Sequence, residues 1–188
     1  MIIIGFCQGQ KYATIGYMEV ITAPNPKLRV KTKPVKKLNI PVLKTLKDMI
    51  KLTLTFKDPE GVGLASTQVG LEESFFVAKH GKIFVSVINP KILSTSKKTK
   101  KYFEGCLSIP GTWGEVIRHT NIKVSYTDEY GKTVNRPLKG LLAWVFQHEI
   151  DHLNGILFPD KVLKQGGRFY KYTGKDKTGT DTFEEIKI

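Results

Sequence analysis

The chain has 188 residues, of which 40% are hydrophobic and 25% charged. That is enough for one domain with a proper core, and too apolar for wholesale disorder. Thirty Lys+Arg against 17 Asp+Glu leave a net charge of +13, and no apolar run approaches the ~18–20 residues of a membrane span. The lysine excess reads as a solvated surface, with attraction for a polyanion such as RNA as the alternative. Two cysteines, Cys7 and Cys106, cannot build a disulfide framework, so a reducing compartment is the default.

Residues 1–17 show no clear period and are read as an extension of unknown role, with Met18 as an alternative start. They carry neither the features of a secretory signal nor the Arg- and Ser-rich character of an organelle presequence. A bacterial-type cytoplasmic location is therefore expected, with organellar or phage origin left open. Residues 19–23 read as a short strand, and Pro24 and Pro26 mark a turn. A helix is expected over 41–55, with Leu43, Leu46, Ile50 and Leu54 at helical spacing and Pro41 in the first turn. Asp58-Pro59, Gly61 and Gly63 end it. Strands over 74–79 and 83–88 flank His80-Gly81, and Pro90 closes the second. Segments 92–94 and 99–103 are expected to pair around a lysine-rich turn, and 122–127 with 133–138 around Glu129-Tyr130-Gly131. A strongly apolar helix follows Gly140, from 141 to about 153, stopped by Asn154-Gly155. Residues 156–158 read as short and extended. The tail 166–188 reads as a strand pair or a strand with a frayed end. Strands and helices are segregated, so the class is α+β.

Gln147-His148-Glu149-Ile150-Asp151-His152 is the most informative stretch. His148 and His152, four apart on a helix, put two imidazoles on one face, as two positions around one metal ion require. Glu149 beside them is placed to act as general base, the HExxH arrangement. The bland alternative is a pair of surface or core histidines, but placing His, Glu, Asp and His on a buried helix is costly without a metal or partners. A catalytic metal needs a third ligand. No histidine follows His152; Glu184 and Glu185 are available in the tail, and Cys106 lies upstream in Glu104-Gly105-Cys106-Leu107-Ser108. A thiolate suits a borderline divalent ion, while a small buried hydrophobe is the alternative reading of Cys106. Gly61-Val62-Gly63-Leu64-Ala65-Ser66-Thr67-Gln68 permits close backbone approach to a ligand, and the Gln68 amide can bind a developing oxyanion.

These three stretches, in this order, resemble the GxGxAAxQ, EGCLS and HExDH motifs of the peptide deformylases. The one departure is Ser66 in place of the second alanine. The resemblance runs from about Met18 to Leu163. It implies antiparallel sheets around a central helix carrying HExxH, with a second, N-terminal helix and a C-terminal strand. It further implies one divalent metal on Cys106, His148 and His152, typically Fe²⁺, with Zn²⁺, Ni²⁺ or Co²⁺ able to substitute. Glu149 would be general base and acid, and Gln68 with the Leu107 N–H would hold the oxyanion. Val62, Leu141, Trp144 and Val145 match positions lining a methionine pocket. Gly63 and Leu64 would offer backbone hydrogen bonds to the substrate, an N-formyl-methionyl nascent peptide. Arg118 matches an arginine that pairs with the motif glutamate, here Glu104. Trp113 stands where some relatives carry an arginine near the pocket mouth. Asp151 is expected to orient the helix or a neighbouring group. Cys7, His80 and His119 are assigned to structure or solvent. The positive charge fits transient ribosome contact; no membrane association and no specific DNA binding are expected. Two other readings stay open: a zincin-like protease with a tail carboxylate as third ligand, and a basic RNA- or ribosome-binding domain with a structural metal. The second lacks a suitably spaced fourth ligand.

Overall fold

The computed structural model describes residues 14–15, 18–57 and 60–187. Cys7 and most of the expected 1–17 extension lie outside the described residues, as do Asp58, Pro59 and Ile188. Thr14–Ile15 (β1) pairs with Met18–Glu19 (β2). The strand expected over 19–23 goes no further than Glu19. Beyond it the chain straps the site instead, Ile21 N–H donating to Gln68 O at 2.8 Å and Ala23 N–H to Ser108 O at 2.9 Å.

Helix α1 spans Ile40–Thr55. Asn39 caps it, accepting from the Val42 N–H at 3.1 Å, and Pro41 sits where no intrahelical donor is lost. It buries Val42, Leu46, Met49 and Leu52, whereas Leu54 is 48% exposed. The inward face is thus rotated from the expected 43–46–50–54 stripe. Two apolar rows share Leu46, and periodicity does not choose between them.

The remaining elements are β3 (Gly63–Ala65), β4 (Phe75–His80), β5 (Ile83–Thr95), β6 (Thr99–Cys106), β7 (Ile109–His119), β8 (Asn121–Thr127), β9 (Thr133–Lys139), α2 (Gly140–Leu153), α3 (Phe158–Gln165), β10 (Phe169–Lys175) and β11 (Asp181–Ile186). They form two antiparallel sheets, one ordered β3-β4-β5-β8-β9 and the other β11-β10-β7-β6. The class is α+β, as the segregation of elements predicts.

Strand β4 is buried on both faces, because side chains alternate along it. Phe75 and Val77 pack with Leu46 and Met49 of α1; Phe76 and Ala78 pack with Val145 and Phe146 of α2. Helix α3 closes the second sheet, Phe158 and Val162 packing with Val116 and Phe169.

Several expectations are corrected. Strand β5 does not stop at Pro90. Asn89 takes φ 52, the register slips between Ile88 and Lys91, and the strand runs on. A bulge is where a strand tolerates a residue without an N–H. The continuation pairs Ile92 with Val124 of β8, so 92–94 does not pair with 99–103, and β6 pairs with β7. Strand β7 itself was unread. Of the segment 156–158 read as extended, Leu157 is extended (φ −107, ψ 155) but Phe158 already opens a helix, 158–165, with Asp160 accepting the Leu157 N–H at 2.8 Å and Gly166 closing it at φ 63. The tail, by contrast, is the strand pair of the two readings given for it, the β10–β11 hairpin. Among the described residues, no helix is long and apolar enough to cross a membrane.

Candidate metal centre and active site

Strand β6 ends on Cys106. The register slips between Gly105, which faces Trp113, and Cys106, which faces Ile109, turning the thiol out of the ladder. Helix α2 presents His148 and His152 from consecutive turns, ring centroids 4.9 Å apart. The Cys106 Sγ lies 3.2 Å from His152 Nε2, and a ligand atom from each of the three residues falls within 4.8 Å of the others. Three residues distant in sequence therefore converge. Among the described residues no fourth His, Cys, Asp or Glu joins this group. Glu185 pairs with Arg168 at 3.4 Å on the hairpin, and neither it nor Glu184 reaches the cluster, which removes the protease reading that needed a tail carboxylate.

Glu104 organises the surroundings. It is fully buried and accepts from Arg118 Nε at 2.7 Å, Arg118 Nη2 at 2.8 Å, Trp144 Nε1 at 2.7 Å and His148 Nδ1 at 2.9 Å. Its bond to His148 Nδ1 fixes that ring's orientation and leaves Nε2 for the site. Burial alone would raise the Glu104 pKa, but hydrogen bonds from Arg118 and His148 outweigh it and hold the carboxylate well below its usual range. Burial likewise opposes a charged His148, yet hydrogen bonding to Cys106 and Glu104 raises its pKa. Arg118 also pairs with Asp151 of α2, which Lys161 reaches from α3 at 3.3 Å. Asp151 thus braces the helix and is no member of the ligand group.

Glu149 is buried, and burial pushes its carboxyl up to about 7. Its Oε2 and the His152 Nδ1 are buried without a hydrogen-bond partner among the described residues. A side chain at position 63 would overlap the Glu149 carboxylate, so the glycine there allows the two to approach. Gln68 Oε1 accepts the Ala65 N–H at 2.8 Å, which aims its NH₂ at Ser108 Oγ (3.1 Å) and Cys106 Sγ (3.4 Å). Orphaned Glu149 and the open sulfur–imidazole cluster fit a cation with exchangeable water beside it. One thiolate and two imidazoles form a donor set for a borderline divalent ion, and three protein ligands leave a coordination position free.

A cavity of about 220 Å³ opens over this cluster. Of the expected residues, Val62, Gly63, Gln68, Cys106, Leu107, Trp144, Val145, His148 and Glu149 line it. Leu64 does not; its side chain is buried against α1, although its backbone belongs to β3, the edge strand bordering the cavity. Leu141 does not either. Its spacing puts it on the stripe of Val145 and His148, but it sits in the first turn of α2 and is 59% exposed beyond the rim. Glu60, Gly61, Gly105 and Trp113 also line the cavity. Glu60, which pairs with Lys79, had no signal in the sequence, whereas Gly61 and Gly105 lay inside the quoted motifs. His119 is structural, its Nδ1 meeting Ser96 O at 2.7 Å.

The polypeptide deformylase family model matches residues 17–167. The chain is 40% identical over 144 residues to the peptide deformylase of Carboxydothermus hydrogenoformans, covering 77% of this chain and 92% of that one. It is 44% identical over 138 residues to the peptide deformylase of Thermotoga maritima, covering 73% and 82%. The crystal structure of a Thermotoga maritima peptide deformylase superposes with a TM-score of 0.72 at 42% identity, covering 77% of this chain and 96% of that one. A Synechococcus elongatus peptide deformylase in complex with actinonin gives 0.73 at 30% identity, covering 88% and 95%. Fold, convergent cluster and sequence agree, and the chain belongs to the polypeptide deformylase family, metal-dependent hydrolases that remove the formyl group from formyl-methionyl nascent peptides.

Proposed function

We propose that this chain hydrolyses the formyl amide of formyl-methionyl peptides in a bacterial-type cytoplasm, using one divalent ion held by Cys106, His148 and His152. Fe²⁺ is our assignment for the native ion, with Zn²⁺, Ni²⁺ or Co²⁺ able to replace it, since the donor set admits all four. When bound, the ion supplies a Lewis acid that polarises the formyl oxygen and acidifies water. Glu149 takes a proton from the water that attacks the formyl carbon. The oxyanion that develops receives hydrogen bonds from Gln68 Nε2 and the Leu107 N–H. Glu149 then delivers its proton to the departing nitrogen, the C–N bond breaks, and formate and a free amine result. This is the HExxH assignment of roles. Val62, Trp144 and Val145 receive the methionine side chain. The backbone of Gly63 and Leu64, on a strand that is the sheet edge among the described residues, holds the peptide as an added strand. Glu104 and Arg118 hold the His148 ring and the cysteine-bearing strand in register.

The observation that carries this reading is the approach of His152 Nε2 to Cys106 Sγ, 3.2 Å, at a cavity that Cys106, His148, Glu149 and Gln68 line. The test is formate release from formyl-Met-Ala-Ser by anaerobically purified protein. Glu149→Ala should abolish release while one metal per chain stays bound. Full activity in that variant contradicts the assignment. Transient ribosome docking through the lysine-rich surface belongs to the same reading, and such binding should weaken steeply as salt rises.

A further inference from the structure

The positive charge is not spread evenly over the molecule. Residues 74–103 carry seven lysines and no Asp or Glu, and 116–127 and 132–139 carry no Asp or Glu either. These stretches include β5, β8 and β9. Side chains alternate along a strand, and directly opposed residues share a face. Ile122, Val124, Tyr126 and Leu138 pack toward α2, which leaves Asn121, Lys123, Ser125, Pro137 and Lys139 on the opposite face. Lys91 joins them as the register partner of Ser125. Lys91, Lys123 and Lys139 thus run diagonally across three neighbouring strands, in steps of about 7–8 Å. The 96–98 turn folds against the end of this line and adds Lys97 and Lys98, Ser96 N–H donating to Asn121 O at 2.9 Å and Thr120 N–H to Lys98 O at 3.0 Å. All five lysines are exposed. Among the described residues none of them has a carboxylate partner, whereas Lys33, Lys51, Lys79, Lys101 and Lys161 are each paired with one. Asp128, in the β8–β9 turn at the end away from Lys139, is engaged by the Tyr130 and Lys132 N–H groups at 3.0 and 2.8 Å. Helix α1 covers this side of the sheet only farther along, where Leu64, Val77 and Ile88 meet it.

We infer that this uncovered face is an RNA-binding surface, on which Lys91, Lys97, Lys98, Lys123 and Lys139 hold the phosphate backbone of an RNA duplex. The inference gives the docking named above a place and a partner, and it rests on that reading for its choice of RNA, since a nascent chain is made beside ribosomal RNA. Lysine is a point charge and lacks the planar fork that suits bidentate recognition. Strands β8 and β9 place only Asn, Lys, Ser, Thr and Pro on the face, so no ring is offered there for an unpaired base to stack on. Contact is therefore with the backbone, independent of sequence, and driven by release of counterions. Strand β9 is the sheet edge opposite β3, which borders the cavity, so RNA held here leaves the cavity open.

The test follows fluorescence anisotropy of a labelled RNA duplex of about 16 base pairs, titrated with the full chain between about 50 and 200 mM salt. The wild type should bind at micromolar concentration or below at the lower salt, with log K falling against log salt at a slope of about −4. The double variant Lys123→Gln/Lys139→Gln should reduce that slope by about 2 and weaken binding at the lower salt by about tenfold or more. Its formate release should equal that of the wild type, which also shows that it folds. Lys44→Gln/Lys51→Gln removes the same charge from α1 and should leave RNA binding nearly as it was. Equal losses in the two double variants would mean that net charge alone attracts RNA, and would overturn the inference. No RNA binding by the wild type at the lower salt overturns it too, as does tighter binding to a DNA duplex of the same length or to phosphatidylserine vesicles. Absence of formate from the wild type overturns the deformylase reading instead, a failure that the anisotropy arms do not share.

Discussion

Gln68 and Arg118 act in different ways, one on the reacting atoms and one on the scaffold around them. The Gln68 carbonyl is tied to the Ala65 N–H, so only its NH₂ is available to the site. Removing a preorganised oxyanion donor costs about 10²–10³-fold in kcat. Gln68→Ala should show that loss with little change in KM, measured as formate release under saturating peptide. Arg118 is 4% exposed and supplies two of the four hydrogen bonds to a fully buried carboxylate. Arg118→Ala leaves that charge underpaired, and urea unfolding should report a loss of about 3–5 kcal/mol. The pH dependence has a definite sign. Because the Glu104 pKa is depressed, its stabilising contribution is whole above the ordinary glutamate value of 4.5 and fades as pH falls toward about 2. The wild type should therefore lose more stability than the variant across that acid range.

Elements whose signals are local could be read directly, and elements defined by distant partners could not. The start of α1 at Pro41, the stop after Leu153 and the β8–β9 hairpin each depend on a few adjacent residues. Spacing of four residues on one helix likewise put His148 and His152 side by side. Strand β7 was invisible because Gly111, Gly114 and Arg118 interrupt any apolar alternation. Its glycine at 114 is dictated by Val162 and Phe158 packing from α3, a contact 44 or more residues away in the chain. Helix α3 spans only eight residues, and its helical spacing rests on one buried apolar pair, Phe158 and Val162. The continuation of β5 past Pro90 needed the Asn89 side chain, which bonds the Val35 backbone at 2.8 and 2.9 Å and anchors the bulge. At this scale the Asn39 cap is the cleanest test. Asn39→Ala removes one acceptor from the start of α1, far along the chain from the cluster, and should cost about 1 kcal/mol in denaturant unfolding. Formate release at saturating substrate should not change.

The whole molecule is arranged so that no single sheet owns the centre. The five-stranded sheet supplies β3 and the wall bearing Gly63; the four-stranded sheet supplies Cys106; α2 supplies the imidazoles and Glu149. The ligand set was legible because each member sits in a short motif. Its convergence, the exclusion of Leu141 and the reach of Trp113 onto the hairpin emerge only from how the sheets close on α2. Cobalt substitution examines that convergence most directly. Stripped wild-type protein should take up one Co²⁺ per chain and display a thiolate-to-cobalt charge-transfer band, and Cys106→Ser should lose the band and bind the ion far more weakly. One tightly bound cobalt with the same spectrum in wild type and Cys106→Ser would contradict a sulfur ligand and, with it, the account of the site.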